Sequence, residues 1–321
     1  MNTTPTPIKA RERDAIIQAL SAGVVPKAGL RHIQVGRVRE IEAVVRDIER
    51  IAEGGAGIRF IIGDYGAGKT FFLNLLRLVA TEKKLVVINA DLAPDRRLHA
   101  TGGQARGLYA ECMRNLATRA KPDGGALASV VERFVSEQVR AAKSAGRSVE
   151  DQIHSQLASL EELVGGYDFA AVLARYWRAS DEGDEAAKAA ALRWLRGEFT
   201  TKTDARSALG VRTIVDDDNV YDQLKLLGRF VRQAGYDGVL VVLDEMVNLY
   251  KLQSSQARNA NYEQLLRILN DVLQGSASNL GFLMAGTPEF LIDTRRGLYS
   301  YQALQSRLAE NMLAPRRFRW N

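Results

Sequence analysis

Hydrophobic and polar positions alternate with two different periods in the first third of the chain, one typical of helices and one of short buried strands. A helical period predicts helices over Ile8–Ala22 and from Arg37 to Gly54. Continuous apolar runs predict strands at Ile58–Ile62 and Leu85–Ile88, with the helix Thr70–Ala80 between them. Strand, helix and strand in this order predict a parallel crossover unit.

The middle of the chain, from Leu98 to Gly235, has a different pattern. Alanine, arginine, glutamate and leucine dominate there, and the apolar spacing predicts several helices and no strand. Lys121–Gly125 and Ala179–Glu185 are predicted to be exposed turns. We therefore expect a large helical insertion at this point of the chain.

Strands and helices alternate again in the last third. Val239–Leu243 and Leu280–Ala285 are predicted strands, and Tyr262–Leu273 and Tyr301–Met312 are predicted helices before the basic stretch Pro315–Trp320. The fold class that follows is α/β, with a parallel sheet in the middle of three layers and an α-helical insertion.

Composition narrows the class of protein. Hydrophobic residues make up 46% of the 321 residues, and no apolar run approaches the roughly 20 residues that a membrane span needs. The polar start Met1–Pro7 is expected to be a disordered leader and not a secretory signal. One cysteine and three scattered histidines predict neither a disulfide nor a zinc site, and favour a cytoplasmic location. The net charge of +6 is compatible with nucleic-acid binding or with a solvated basic surface.

One glycine-rich segment, between a predicted strand and a predicted helix, has a phosphate-binding pattern. Its residues, which match G-x-x-x-x-G-K-[ST], are Gly63, Asp64, Tyr65, Gly66, Ala67, Gly68, Lys69 and Thr70. Glycines let backbone N–H groups approach phosphate oxygens, and the helix directs its positive N-terminus at them. Lys69 is expected to reach the β- and γ-phosphates and Thr70 to bind Mg²⁺, which predicts a P-loop NTPase. The alternative is a glycine-rich turn with an incidental lysine.

Two carboxylates follow the apolar strand at Val239–Leu243. Because ligands of open α/β folds bind at the carboxyl ends of strands, Asp244 is expected to hold Mg²⁺ and Glu245 to activate the attacking water. The alternative for this pair is a solvated strand end. Asp91 ends another strand, where it either faces the same edge or, as we favour, serves a helix cap or turn.

Two further residues are candidates for contact with the γ-phosphate. Thr287 follows the strand Leu280–Ala285 and is expected to sense this phosphate, unless it is an ordinary turn residue before Pro288. Arg307 lies on the next helix and is expected to reach the nucleotide of a neighbouring subunit, with Arg295 and Arg296 as rivals. The division of the chain that follows is a leader and helix (1–34), a first core part (35–97), the insertion (98–235) and a second core part (236–321).

A second motif, Thr201-Lys202-Thr203-Asp204, is similar to the guanine-specificity signature of GTPases. It precedes the Asp244 strand and follows no convincing strand of its own, whereas the GTPase element comes late and at a strand end. We therefore favour adenine over guanine.

Taken together, these motifs resemble those of known ATPases. Val35-Gly36-Arg37, Gly63–Thr70, Asp244-Glu245, Gly286-Thr287-Pro288-Glu289 and Ser306-Arg307-Leu308 resemble the AAA+ ATPases of the origin-recognition and STAND-like branch. Closer still, Ile61–Phe72 followed by Ala90-Asp91-Leu92 and Arg97-Leu98-His99 resembles the ATP-binding domain shared by BrxC and BrxD of BREX bacteriophage-exclusion systems.

The resemblance implies an ATP hydrolase with ATP and Mg²⁺ as cofactors. It implies that Val35, Gly36 and Arg37 contact the adenine, that Phe71 belongs to the nucleotide-binding set, and that Arg307 is an arginine finger. It further implies a homo-oligomer with nucleotide at its interfaces, work on DNA or a protein–DNA assembly, and other defence proteins as partners. AAA+ proteins normally continue into a helical lid, so we expect either a shortened protein or a partner that supplies the missing parts.

Two other functions stay open at the level of sequence. A nucleotide-dependent switch would oligomerise on ATP with little turnover. A small-molecule kinase would use the same phosphate loop, but the Asp244-Glu245 pair and the long insertion argue against it.

Overall fold

A parallel sheet of four strands forms the centre of the protein in a computed structural model, which describes residues 8–26, 29–34 and 36–308. The strands are β1 Ala56–Ile62, β2 Val86–Asp91, β3 Val239–Asp244 and β4 Leu280–Gly286. Their order across the sheet is β1-β4-β3-β2, and all pairs are parallel. The prediction of an α/β fold with a parallel sheet is therefore confirmed, and the carboxyl ends of all strands meet at one edge.

Helices make up most of the remaining described structure. They are α1 Ala10–Ser21, α2 Leu30–Ile33, α3 Val38–Ala52, α4 Lys69–Glu82, α5 Gln104–Arg114, α6 Leu127–Ala145, α7 Val149–Glu161, α8 Gly166–Glu182, α9 Glu185–Leu195, α10 Lys202–Leu209, α11 Val220–Gln233, α12 Val247–Tyr250, α13 Ser255–Gln274, α14 Pro288–Ile292 and α15 Gln302–Leu308. A 3₁₀ turn at Leu298–Ser300 precedes α15.

Alternate side chains of each strand enter different apolar clusters, because successive strand residues point to opposite faces. In β3, Val241 belongs to the cluster on one face and Val242 to the cluster on the other. Helices α3 and α4 cover the second face through residues such as Ile48 and Leu76. Helices α5, α11 and α13 pack on the strands as well, and their buried residues join the first cluster. The sheet is thus the middle of three layers.

The helices between β2 and β3 share the apolar cluster of the sheet. α6 to α10 pack against one another in chain order, while α5 lies on β2 and α11 lies on β3 and β4. Edge-on aromatic contacts join α6, α8 and α11, with ring centres of Phe134 and Phe169 at 5.4 and 5.6 Å from that of Phe230. The core therefore continues from the sheet into this helical region.

Two predictions of local structure were wrong in part. The turn predicted at Ala179–Glu185 is mostly helix, since α8 runs to Glu182 and only Gly183, in the left-handed conformation, and Asp184 separate it from α9. The helix predicted from Tyr262 begins earlier, because the Ser254 hydroxyl caps α13 at the Ala257 amide. Polar residues fill that first part of α13, so no apolar period marks it.

Some predictions fall on residues that the structure does not describe. These are the leader Met1–Pro7, the contact residue Val35, the end of the helix predicted to reach Met312, and the basic stretch Pro315–Trp320. Within the described ranges, no helix has both the length and the apolar character needed to cross a bilayer.

Candidate functional site

The segment between β1 and α4 forms a compact loop at the carboxyl edge of the sheet. The Gly63 amide donates to the Gly286 carbonyl (3.2 Å) and the Ala67 amide to the Asp64 carbonyl (3.2 Å). Gly66 and Gly68 have φ of 79° and 78°, a conformation that side-chain-bearing residues seldom adopt. A Cβ added at either glycine would meet no heavy atom within 4 Å. Backbone conformation, and not crowding inside the protein, therefore requires glycine at both positions.

The start of α4 faces this loop. Gly68 caps the helix without a side-chain hydrogen bond, so the helix dipole and the first amides are available to an anion. The Lys69 ammonium donates to the carbonyls of Gly63 and Asp64, both at 2.8 Å, and lies 5.6 Å from the centre of the Tyr65 ring. The lysine is thereby held directly over the loop.

A single hydrogen bond connects the two motifs that the sequence analysis singled out. The Thr70 hydroxyl donates to Oδ2 of Asp244 at 2.8 Å, although the residues are 174 positions apart. Asp244 is buried, with 9% of its surface exposed, and its Oδ1 accepts from the Glu245 amide at 2.8 Å. The loop and the carboxylate strand thus form one site.

Glu245 is exposed and has a φ of 57°, in the left-handed region that costs a non-glycine residue about 1–2 kcal/mol. Its carbonyl accepts from the Asn248 amide at 2.9 Å, which begins the turn into α12. Strained residues of this kind cluster at functional sites. Glu245 directly follows β3 and therefore lies at the same edge of the sheet as Asp244.

Thr287 directly follows β4, the strand between β1 and β3. Only 3% of the residue is exposed, and within the part of the chain that the structure describes its hydroxyl has no hydrogen-bond partner. It begins α14 without making a capping bond. A buried hydroxyl without a hydrogen-bond partner costs about 1–3 kcal/mol of stability. The hydroxyl of Thr287 therefore does not stabilise the fold as described.

Asp91 pairs in register with Asp244 on the neighbouring strand. The Leu92 amide donates to the Asp244 carbonyl at 3.0 Å, and no helix begins at Asp91. The interpretation of Asp91 as a helix cap is therefore wrong, and its register with Asp244 places it at the same edge of the sheet, as the alternative expected. Loss of hydration and the nearby Asp244 carboxylate raise the pKa of Asp91.

The segment before α3 is attached to the phosphate loop. Arg37, with φ of 58°, donates from Nη2 to the Ala67 carbonyl at 2.8 Å, and its guanidinium lies 5.8 Å from the Phe72 ring centre. Gly36 is exposed and left-handed, and Phe71 is half-buried at the start of α4. The predicted adenine-contact segment thus lies beside the loop, as far as the structure describes it.

The arginine candidates lie further along the chain. Arg307 is on α15, which packs against the 3₁₀ turn and α13, and its Nη1 donates to the Ala303 carbonyl at 2.9 Å. Arg295 is exposed. Arg296 donates to the Leu252 carbonyl at 3.0 Å.

The segment similar to a guanine signature has a local structural task. Thr201 caps α10, and its hydroxyl accepts from the Asp204 amide at 3.1 Å. It follows α9 and not a strand, so its geometry is that of a helix cap.

Two asparagines that the sequence analysis missed hold the loop after β2. Asn248 donates to the Leu92 carbonyl at 2.8 Å, and fully buried Asn261 bonds both backbone groups of His99. No local pattern marked either residue, because Asn261 lies in the polar first part of α13 and Asn248 in a helix of four residues. They fix the end of β2 to α12 and α13.

A family model described as BREX system ATP-binding protein BrxC/D matches residues 8–320. The chain belongs to this family. The match covers nearly the whole chain, including the helices between β2 and β3, and confirms the resemblance to BrxC and BrxD. A search of curated proteins found no match. Membership of a BREX ATP-binding family supports ATP as the ligand of the phosphate loop.

Proposed function

We propose that this BrxC/D-family chain binds ATP with Mg²⁺ and hydrolyses it, with its turnover serving a BREX defence assembly. The observation that carries the proposal is the 2.8 Å hydrogen bond between Thr70 and Asp244. It joins a phosphate loop to the strand end that bears two carboxylates, as an NTPase of this class needs.

The oxygen chemistry of the site fits magnesium. Mg²⁺ prefers oxygen ligands and is usually held by one or two protein groups together with phosphate oxygens. Thr70 and Asp244 would hold the ion, which supplies charge neutralisation to the phosphates when bound. The closeness of their oxygens supports this assignment.

Each remaining residue has a task in the proposed reaction. The loop amides and Lys69 bind the β- and γ-phosphates and stabilise their charge. Glu245 orients a water molecule and accepts its proton as the water oxygen bonds to the γ-phosphorus and the bond to the leaving ADP oxygen breaks. The Thr287 hydroxyl donates a hydrogen bond to a γ-phosphate oxygen, which would give this buried hydroxyl a partner.

The wider function follows from the family. We propose other BREX proteins as partners, a homo-oligomer with nucleotide at its interfaces and Arg307 reaching a neighbouring subunit, and DNA as the substrate of the assembly. The family description supports the first of these, and the sequence pI of 9.4 is compatible with the last.

The proposal is tested by two substitutions in the purified protein. Lys69→Ala should weaken ATP binding by about tenfold or more, because a charge-assisted phosphate contact is lost. Glu245→Gln should preserve ATP binding and lower phosphate release by about a hundredfold to ten-thousandfold, the usual contribution of a general base. Calorimetry with ATP and GTP and a phosphate-release assay measure both effects.

Controls lie at the opposite end of α4. Lys83→Ala and Glu82→Gln change exposed residues of the same types and should leave both measurements unchanged. ATP binding without phosphate release, with or without DNA, would favour a nucleotide-dependent switch. Transfer of phosphate to an added metabolite would favour a kinase, and tighter binding of GTP would overturn the adenine preference.

A further inference from the structure

Two arginines outside the phosphate site converge on one backbone carbonyl. Arg258 lies in the first turn of α13 and is buried, with 8% of its surface exposed, and Arg296 is half-buried after α14. Nη1 of Arg258 and Nη2 of Arg296 donate to the Leu252 carbonyl at 2.8 and 3.0 Å. Two positive charges therefore meet at one neutral acceptor.

No ion pair joins either arginine to a carboxylate among residues 8–26, 29–34 and 36–308. In the same ranges, the Nε of each is buried without a hydrogen-bond partner. The acid beside them, Asp293, is otherwise engaged, since its Oδ2 accepts from the Tyr250 hydroxyl at 3.0 Å and its Oδ1 from the Arg295 and Arg296 amides at 2.7 and 3.2 Å. Because its donors are neutral, Asp293 keeps its single negative charge beside two guanidinium charges. The excess of positive charge in partly buried surroundings favours binding of an anion.

The surroundings hold the Arg296 guanidinium in place, and the bond to the Leu252 carbonyl holds that of Arg258. The Arg296 guanidinium lies 5.5 Å from the Tyr250 ring centre. The backbone carbonyl of Arg296 accepts from the Tyr262 hydroxyl at 2.6 Å. Tyr262 is fully buried. Because the arginines are already ordered, an incoming anion would not have to order these long side chains.

We propose that Arg258 and Arg296 form a binding site for one phosphate-class oxyanion, separate from the phosphate loop. Guanidinium groups are planar donors that match phosphate oxygens, and two of them balance the charge of a dianion. The oxyanion comes either from free phosphate or from a backbone phosphate of nucleic acid. The site does not depend on ATP hydrolysis.

The experiment uses the full chain carrying Lys69→Ala, which removes the lysine of the other phosphate site. Melting temperature is measured in sodium phosphate and in sodium chloride at equal ionic strength. Phosphate should raise the melting temperature of this protein. Arg296→Gln and Arg258→Gln should each reduce the rise, whereas the control Arg295→Gln, at the exposed neighbouring arginine, should keep it in full. The difference between the variants is the result, because phosphate salts raise the stability of folded proteins in general.

A second arm identifies the source of the phosphate. If inorganic phosphate does not distinguish these variants, Arg296→Gln should weaken binding of a single-stranded oligodeoxynucleotide by about tenfold, and Arg295→Gln should not. Should Arg258→Gln fail to fold, the half-buried Arg296 decides the outcome. The proposal is overturned if neither ligand distinguishes Arg296→Gln from Arg295→Gln. Because ATP turnover is not measured, a failed hydrolysis test has no bearing on this result.

Discussion

At the scale of single residues, substitution of Thr287 should have opposite effects on stability and on activity. Thr287→Val keeps the side-chain shape and removes the unpaired buried hydroxyl, so the free energy of unfolding should rise by about 1 kcal/mol. Phosphate release should fall by about tenfold or more, because a donor to the developing charge is lost. Urea unfolding and the phosphate-release assay measure the two effects.

Thr118 provides a matched control for that experiment. It is also buried, at 3% exposure, but its hydroxyl accepts from the Lys121 amide at 3.3 Å. Thr118→Val should therefore lower stability by about 1 kcal/mol and leave turnover unchanged. If both valine variants are destabilised alike, the account of Thr287 is wrong.

The raised pKa of Asp91 predicts that the stability of the protein depends on pH. Loss of hydration, Asp244 and Glu111 raise its pKa in the folded state, while Arg96 and Arg77 act in the opposite direction. The folded protein thus disfavours the charged carboxylate. The contribution of Asp91 to stability is complete below the unfolded pKa of about 3.9 and is lost as pH rises through the folded pKa. Asp91→Asn should therefore be more stable than the wild type at pH 7.

That gain in unfolding free energy should shrink as pH falls toward about 4, where both states of the wild type become protonated. Denaturant unfolding at several pH values measures it. Asp95→Asn, at an acid with 82% of its side chain exposed on the following loop, should change stability by less than about 0.5 kcal/mol throughout. A pH-independent difference for Asp91→Asn would contradict the assigned cause.

At the scale of elements, the packing of α3 on β4 depends on a glycine. A Cβ at Gly281 would overlap Cδ1 of Ile51 and lie 3.1 Å from Cδ1 of Leu240. Gly281→Ala should cost about 1–3 kcal/mol of unfolding free energy through overpacking. Ile51→Val removes the overlapping methyl. The loss of unfolding free energy in the double variant should therefore be smaller than the sum of the two single losses by about 0.5 kcal/mol or more.

Ile48→Val is the matched control, because Ile48 is equally buried on α3 and none of its atoms is among the three nearest to the added Cβ. Its effect should be additive with that of Gly281→Ala. Urea unfolding of the variants gives both coupling energies, and equal coupling for the two isoleucines would show that the overlap is not the cause.

At the scale of the whole molecule, the net charge of +6 makes DNA binding testable through salt. If about four phosphates are contacted, affinity for a duplex should fall on the order of a hundredfold between 50 and 200 mM salt, as counterions are released. Fluorescence anisotropy of a labelled oligonucleotide measures it. Lys69→Ala should show the same salt response if DNA binds outside the phosphate loop. A flat response, or no binding at 50 mM salt, would remove DNA from the proposal.

Local pattern was enough for a large part of this protein. The strands, the loop Gly63–Thr70 and the pair Asp244-Glu245 could be predicted because apolar runs and glycine spacing act over a few neighbouring residues. The same local reasoning failed at the start of α13, where a serine cap and polar residues begin a helix without an apolar period.

Only the tertiary structure decided which residues meet. Strand order and register bring Thr70 to Asp244 and set Asp91 beside it, and these follow from packing between distant segments and not from any local period. The unpaired hydroxyl of Thr287 and the two arginines on the Leu252 carbonyl are likewise visible only once burial is known. A sequence specifies the chemical groups, whereas desolvation and neighbouring charge, which determine what those groups do, depend on the folded arrangement.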